Sequence, residues 1–269
     1  MSTATFSEAA TTTSSSKQTL DALVANEFAK MRHLKVLVLP RIMLIGVTGL
    51  TLFRALASGA FSADAQGDGF PWKLMLASMS FAITMIYPIL LSVMASRLVE
   101  VEHRGNGWML SAGSGTTPGQ LCLAKFLALG SLVMAATVLQ SALIAGVGLL
   151  AGVTDPFPIG LWLSYTVSVT LINVVVLAAH VLISAVIENQ LVCLGIGVGG
   201  LFLAVFGSAF PAWISHLTPW GYYALAQPAD YVGMDLVYFD MPVLSIIVLT
   251  VIGAGAFLAI TSRFDHQEL

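Results

Sequence analysis

Charge is what this chain has least of. Of its 269 residues only 9% are Asp, Glu, Lys or Arg, while 57% are apolar. An ordinary soluble domain carries about 25% charged residues. Eleven Lys/Arg and fourteen Asp/Glu cannot supply a polar shell for a core of this length, so most of the surface must face lipid. A net charge of -3, with no basic groove and no interleaving of basic and aromatic residues, argues against nucleic acid as a partner. Cysteine is scarce too. Cys122 and Cys193 both fall beside polar turns on one side of the membrane, so two buried or interfacial thiols are expected rather than a disulfide framework. Enzyme signatures are missing: there is no H-E-x-x-H and no G-x-S-x-G. The stretch GSGTTPG at 113–119 lacks the Gly-Lys-Ser/Thr that would hold the β- and γ-phosphates. The chain is therefore not expected to bind ATP itself, to carry a cofactor or metal, or to be an enzyme.

What is present is length in apolar runs. Six spans approach the ~20 residues that cross ~30 Å of hydrocarbon: about 35–57, 73–96, 121–150, 161–187, 191–210 and 242–261. The expected fold is an all-α membrane protein with six transmembrane helices. Residues 1–18 form a Ser/Thr/Ala-rich tail that buries too little to order itself, and they lack the basic start and apolar run of a signal peptide. In residues 19–34, Leu20, Leu23, Val24, Phe28 and Met31 recur at helical spacing while Asp21, Glu27, Lys30 and Arg32 take other positions. This predicts a helix lying in the membrane interface.

Basic residues set the orientation. Lys17, Lys30, Arg32, Lys35, Arg97, Arg104, Lys125 and Arg263 all fall on one side of a six-span drawing, against Lys73 and Arg54 on the other. The positive-inside rule then places both termini and residues 97–125 in the cytoplasm. The segment 97–120 gathers Glu100, Glu102, His103, Arg104 and Trp108 before Pro118, where the protein can meet a soluble partner. On the outer side, 211–241 is long, aromatic and broken by Pro211, Pro219 and Pro228. It reads either as short helices dipping into the outer leaflet or as an aromatic belt on a surface loop. Its Asp230, Asp235 and Asp240 match no tight cation site.

Polar residues inside the spans are few. Arg41 and Arg54 are expected to snorkel to an interface. Gln140, Asn173 and His180 fit two roles, lining a substrate pathway or hydrogen bonding between helices. Gly195-x-x-x-Gly199 predicts a close helix approach.

With the interfacial helix, two spans and then Glu100, Glu102, Trp108, Leu110, Pro118, Leu121 and Ala124-Lys125 in this order, the chain resembles permease subunits of ABC-2-type transporters. It is most similar to the lantibiotic/bacteriocin immunity branch. Gly119 and Gln120 depart from the basic residues that branch has after the proline. The resemblance implies a permease of the bacterial cytoplasmic membrane that pairs with a second permease copy, identical or paralogous. It also implies an ABC ATP-binding subunit as partner, with ATP and Mg held there. The 97–120 segment would form a cytoplasmic coupling helix, with Glu100, Glu102, His103, Arg104 and Trp108 contacting the ATPase and Glu188 in the 188–190 turn a smaller contact. The implied activity is export of a peptide antibiotic or other amphipathic substrate, giving self-protection. An ion-gradient-driven secondary transporter is the alternative, although the span interiors are poor in carboxylates and show no internal repeat. A membrane enzyme using His103 or His180 ranks behind both, since neither has a partner base or metal ligands at useful spacing.

Overall fold

In the computed structural model, residues 19–266 are described. The expected disordered tail at 1–18 lies outside the described residues. Six helices are long and apolar enough to cross a membrane: α2 (Val38–Ala57), α3 (Phe70–Arg104), α5 (Pro118–Leu150), α6 (Ile159–Val186), α7 (Gln190–Phe206) and α10 (Val243–Phe264). The chain is thus an all-α multi-span membrane protein. Before them comes α1 (Leu20–His33), and between α3 and α5 lies the short α4 (Gly107–Gly113). Between α7 and α10 stand the one-turn helices α8 (Ala212–Ser215) and α9 (Tyr222–Leu225), followed by an antiparallel hairpin of β1 (Ala229–Val232) and β2 (Asp235–Tyr238).

The helix α3 is the axis of the bundle, packed against α2, α6 and α7. It is also longer than its apolar run suggests. The polar segment that starts at Arg97 is not a loop at first, since the helix continues unbroken to Arg104 over 35 residues. At 1.5 Å per residue this is roughly 50 Å, more than the ~30 Å hydrocarbon layer, so its last turns project beyond. Nothing between Ile89 and Arg104 interrupts it, and Leu98, Val99 and Glu102 stay buried on its inner face. Gly105 ends it, and Asn106 then takes a left-handed φ of 50° to turn the chain into α4. The next long helix, α5, opens on Pro118 behind a capping box of Thr117 and Gln120. Its first main-chain N–H, at Gly119, donates to Asp265 Oδ1 at the end of α10 at 2.7 Å, a carboxylate on the positive end of a helix dipole.

Glycines in α7 decide how the bundle closes, but not the expected pair. Gly195 and Gly199 meet nothing within 4 Å. The close approaches fall on Gly197, against Ser92 and the Pro88 carbonyl of α3, and on Gly200, against the Trp220 indole. Residues 197 and 200 are three apart and share one helix face; the phase of α7 turns 195 and 199 away. With Gly200 opened, the segment between α7 and α10 brings Trp220, Tyr222 and Tyr223 into the protein, while Trp213 stays exposed. The Tyr223 hydroxyl donates to Asn173 Oδ1, midway along α6, at 2.6 Å. The two cysteines are free and buried.

A Cβ at position 200 has no room, whereas one at 195 stands in open space. Gly200→Ala should therefore lower stability by about 1–3 kcal/mol through overpacking. Gly195→Ala should be neutral or stabilising, since Ala is the better helix former. Thermal unfolding of the two purified variants in detergent checks the pair.

Candidate functional site

At the basic end of the bundle four charges meet, with Glu27, Glu102 and Lys125 buried and Lys30 partly open to water. Lys125, fully buried in α5, places its Nζ 2.8 Å from Glu27 Oε2, 2.7 Å from Glu102 Oε1 and 3.0 Å from the Leu98 carbonyl. Lys30 Nζ lies 2.7 Å from Glu27 Oε1 and 2.7 Å from Glu102 Oε1. Two carboxylates and two ammonium groups make the cluster neutral. Every proton of the Lys125 ammonium has an acceptor, which a charge removed from water requires. For Lys30, burial works against its charge, but hydrogen bonds and attraction from Glu102 and Glu27 outweigh it and raise its pKa above the ordinary 10.5. A raised lysine stabilises the folded state below its unfolded pKa, and that contribution is lost only as pH climbs through the higher folded value. The cluster therefore keeps Lys30 charged throughout the neutral range.

The local sequence explains how the charges converge. The buried residues of α1 are Leu23, Glu27 and Met31, at i, i+4 and i+8. Glu27 therefore sits on the inward, apolar stripe and not on the solvent face expected of it. Glu102 differs from expectation in the same way. Instead of reaching outward to a partner, it is 2% exposed and held by both lysines. Sequence reading had Glu27, Lys30 and Lys125 in view without assembling them. The available signal was the spacing of Leu23, Glu27 and Met31, which puts Glu27 on the apolar stripe of a predicted helix.

The other expected coupling residues surround this cluster. Glu100 and Arg104 form an i,i+4 ion pair on the outer side of α3. A Cβ on Gly107, the first residue of α4, would collide with the Glu102 carboxylate, so α4 rests directly on the cluster. Buried residues are absent from α4 itself; Met109 and Leu110 are 70% and 72% exposed. On the far side, His103 Nε2 lies 2.9 Å from the Ser184 carbonyl, and Trp108 Nε1 donates to His103 Nδ1 at 3.4 Å. Glu188 Oε1 stands 3.9 Å from His103 Nδ1. His103, Trp108, Pro118, Ala185, Val186, Glu188 and Phe264 enclose a groove of about 340 Å³. Glu188 is thus brought together with His103 and Trp108, while Glu100 and Arg104 face elsewhere.

Gln140, Asn173 and His180 are all fully buried within the protomer. Tyr87 donates to Gln140 Oε1 at 3.0 Å and lies 3.2 Å from the Thr137 hydroxyl; Asn173 Nδ2 donates to that hydroxyl at 3.1 Å, and Tyr223 completes the network. Of the two roles open to Gln140 and Asn173, the geometry matches interhelical hydrogen bonding. His180 stands apart. Its ring meets Trp220 edge-on at 5.4 Å, and neither ring nitrogen nor the Trp220 indole N–H has a partner among the described residues. Arg54 lies over the Phe81 ring at 5.3 Å, a cation–π contact near the end of its span. No group of three or more potential metal-ligating residues occurs among the described residues.

Removing one member of a buried ion cluster leaves a charge without compensation, at a cost of about 3–5 kcal/mol. Lys125→Met should destabilise the protein by that order. Lys125→Met combined with Glu102→Gln, which removes one charge of each sign, should recover a substantial part. Unfolding midpoints of the single and double variants measure the coupling.

Two comparisons with known proteins bear on this arrangement. No curated protein matches the chain. The model of the family described as ABC-2 family transporter protein matches residues 23–207, the stretch from the buried face of α1 through the ion cluster to the end of α7. Such a match spans more than half of the sequence: the chain belongs to the ABC-2 family of transporter proteins, as a multi-pass membrane permease subunit of the kind that works with an ABC ATP-binding partner.

Proposed function

We propose that this permease exports a peptide antibiotic or another amphipathic substrate, from the membrane or the cell, as the transmembrane half of an ATP-driven transporter that protects its host. The observation that carries the coupling part of this reading is α4. It is a short helix at the end of the longest span, fixed below by Glu102 through Gly107 and at the side by His103 through Trp108, with Met109 and Leu110 turned outward. A helix with nothing buried of its own, yet held from two sides, suits docking into a groove on an ATP-binding subunit. Exposed apolar anchors of this kind dominate binding energy when a partner covers them. The Glu100–Arg104 pair and the exposed Glu188 add polar contacts at the rim.

The basic residues support a cytoplasmic α4 end in a bacterial membrane: Lys30, Arg32, Lys35, Arg97, Arg104 and Lys125 gather there, in line with the positive-inside rule. The partner chain would carry ATP and Mg, and a second permease copy, identical or paralogous, would complete the membrane unit. An amphipathic cargo fits a bundle whose outer faces are apolar and whose Tyr87, Gln140, Thr137, Asn173 and Tyr223 are engaged with one another. An ion-driven mechanism finds less support. Among the described residues the buried acids are Glu27, Glu102 and Asp155, and none is placed in the middle of a span.

Co-expression with the ABC ATP-binding subunit of the same host tests the reading. The purified complex should hydrolyse ATP faster than the ATPase alone, and resistance to the exported toxin should require both chains. Leu110→Asp should weaken association about tenfold or more, the scale of losing one interface anchor, with normal permease abundance. Unchanged association and resistance in that variant would remove α4 from the docking surface.

A further inference from the structure

The side contact that holds α4 contains a titratable hinge. His103 Nε2 faces the Ser184 carbonyl at 2.9 Å. A carbonyl only accepts, so Nε2 must carry a proton. In the neutral ring Nδ1 then has a lone pair, and it receives the Trp108 indole N–H at 3.4 Å. Indole only donates. If a second proton binds at Nδ1, two donors face each other and the Trp108 hydrogen bond cannot persist. The acceptor for the new N–H is already near: Glu188 Oε1 stands 3.9 Å from Nδ1, with its side chain 83% exposed and free to move closer.

We propose that His103, Trp108 and Glu188 form a proton-operated latch: with His103 neutral, Trp108 is tied to α3 and α4 is held; with His103 protonated, the imidazolium pairs with Glu188 and Trp108 is released. One proton leaves a solvent hydronium and binds the Nδ1 lone pair, forming an N–H bond and giving the ring a positive charge that the Glu188 carboxylate balances; no other bond forms or breaks. The groove beside the ring gives that proton a route, since Glu188 at its rim is open to water.

The charges packed around His103 leave Glu188 as its partner. On α3, Glu100 is paired with Arg104, and Glu102 is held by Lys30 and Lys125. The Lys125 of α5 belongs to that same cluster. At the end of α10, Asp265 accepts from the Gly119 main chain, and Phe264, not Arg263, lines the groove. Of α6, the residues lining the groove are Ala185 and Val186. Apart from this hydrogen bond, Trp108 is held by partial packing against the core and by an edge contact with the His103 ring, while its neighbours Met109 and Leu110 are exposed. The latch is a property of this chain alone and does not depend on the ATP-binding partner.

The test follows the Trp108 indole N–H directly. The full chain, labelled with 15N-tryptophan and held in detergent micelles, is titrated from pH 8 to pH 5, the range in which imidazole changes charge. Comparison with Trp108→Phe assigns the signal. The expected result is a sigmoidal shift of the Trp108 resonance that disappears in His103→Gln. In Glu188→Gln its midpoint should move to lower pH, because the imidazolium has lost its carboxylate. Glu188 is exposed, so this variant keeps the fold. A Trp108 signal that ignores pH in the wild type would overturn the latch. So would a titration that survives in His103→Gln, or a midpoint unmoved in Glu188→Gln.

Discussion

Four charges at the edge of a low-dielectric bundle hold this structure together. Lys125 cannot be solvated where it lies, and neither can Glu27, so each is tolerable only because the other is within hydrogen-bond reach. Glu102 and Lys30 then bring the sum to zero. The residues so joined are distant in sequence: 98 positions separate Lys125 from Glu27, and 72 separate Lys30 from Glu102. The cluster therefore welds α1, α3 and α5 into one unit. Because the attraction is strong only at short range and in full complement, small displacements of any of the three helices are opposed.

What the cluster fixes, α4 inherits. Gly107 lies against the Glu102 carboxylate with no space for a side chain, and Trp108 reaches back to His103, the next residue of α3. Movement of the spans at this end is thus transmitted to a helix with no fully buried residue of its own. A partner that binds Met109 and Leu110 would feel the arrangement of α1, α3 and α5 through two contacts, one electrostatic and rigid, the other a single hydrogen bond to a titratable ring.

The opposite half of the bundle is held by shape and neutral hydrogen bonds. Gly200 lets the Trp220 ring in, and Tyr223 ties the same segment to Asn173, which is linked through Thr137 to Tyr87 and Gln140. In hydrocarbon such donors and acceptors must find each other within the protein, so polar side chains of α3, α5, α6 and α9 converge on one network. The His180 ring and the Trp220 indole N–H stand outside that network, adjacent and without partners among the described residues.

Composition and periodicity alone determined the class of this protein. A chain with 9% charged residues and six apolar runs has no alternative to spanning helices, since lipid offers the backbone no hydrogen bonds. The concentration of basic residues at alternate turns likewise marked the polar end where the candidate site lies. Tertiary structure decided which charges face inward. Glu27 reads as part of a polar face until Lys125, nearly a hundred residues later, turns that face toward the core. Glu102 reads as a surface contact until α3 is seen to run straight past Arg97 and carry it into the cluster. Gly195 and Gly199 carry the familiar spacing, yet the rotation of α7 gives the contact to Gly197 and Gly200. Local pattern reports how hydrophobic a segment is. The partner of a buried charge, or of a missing side chain, is set by helices distant in sequence, and only their packing identifies it.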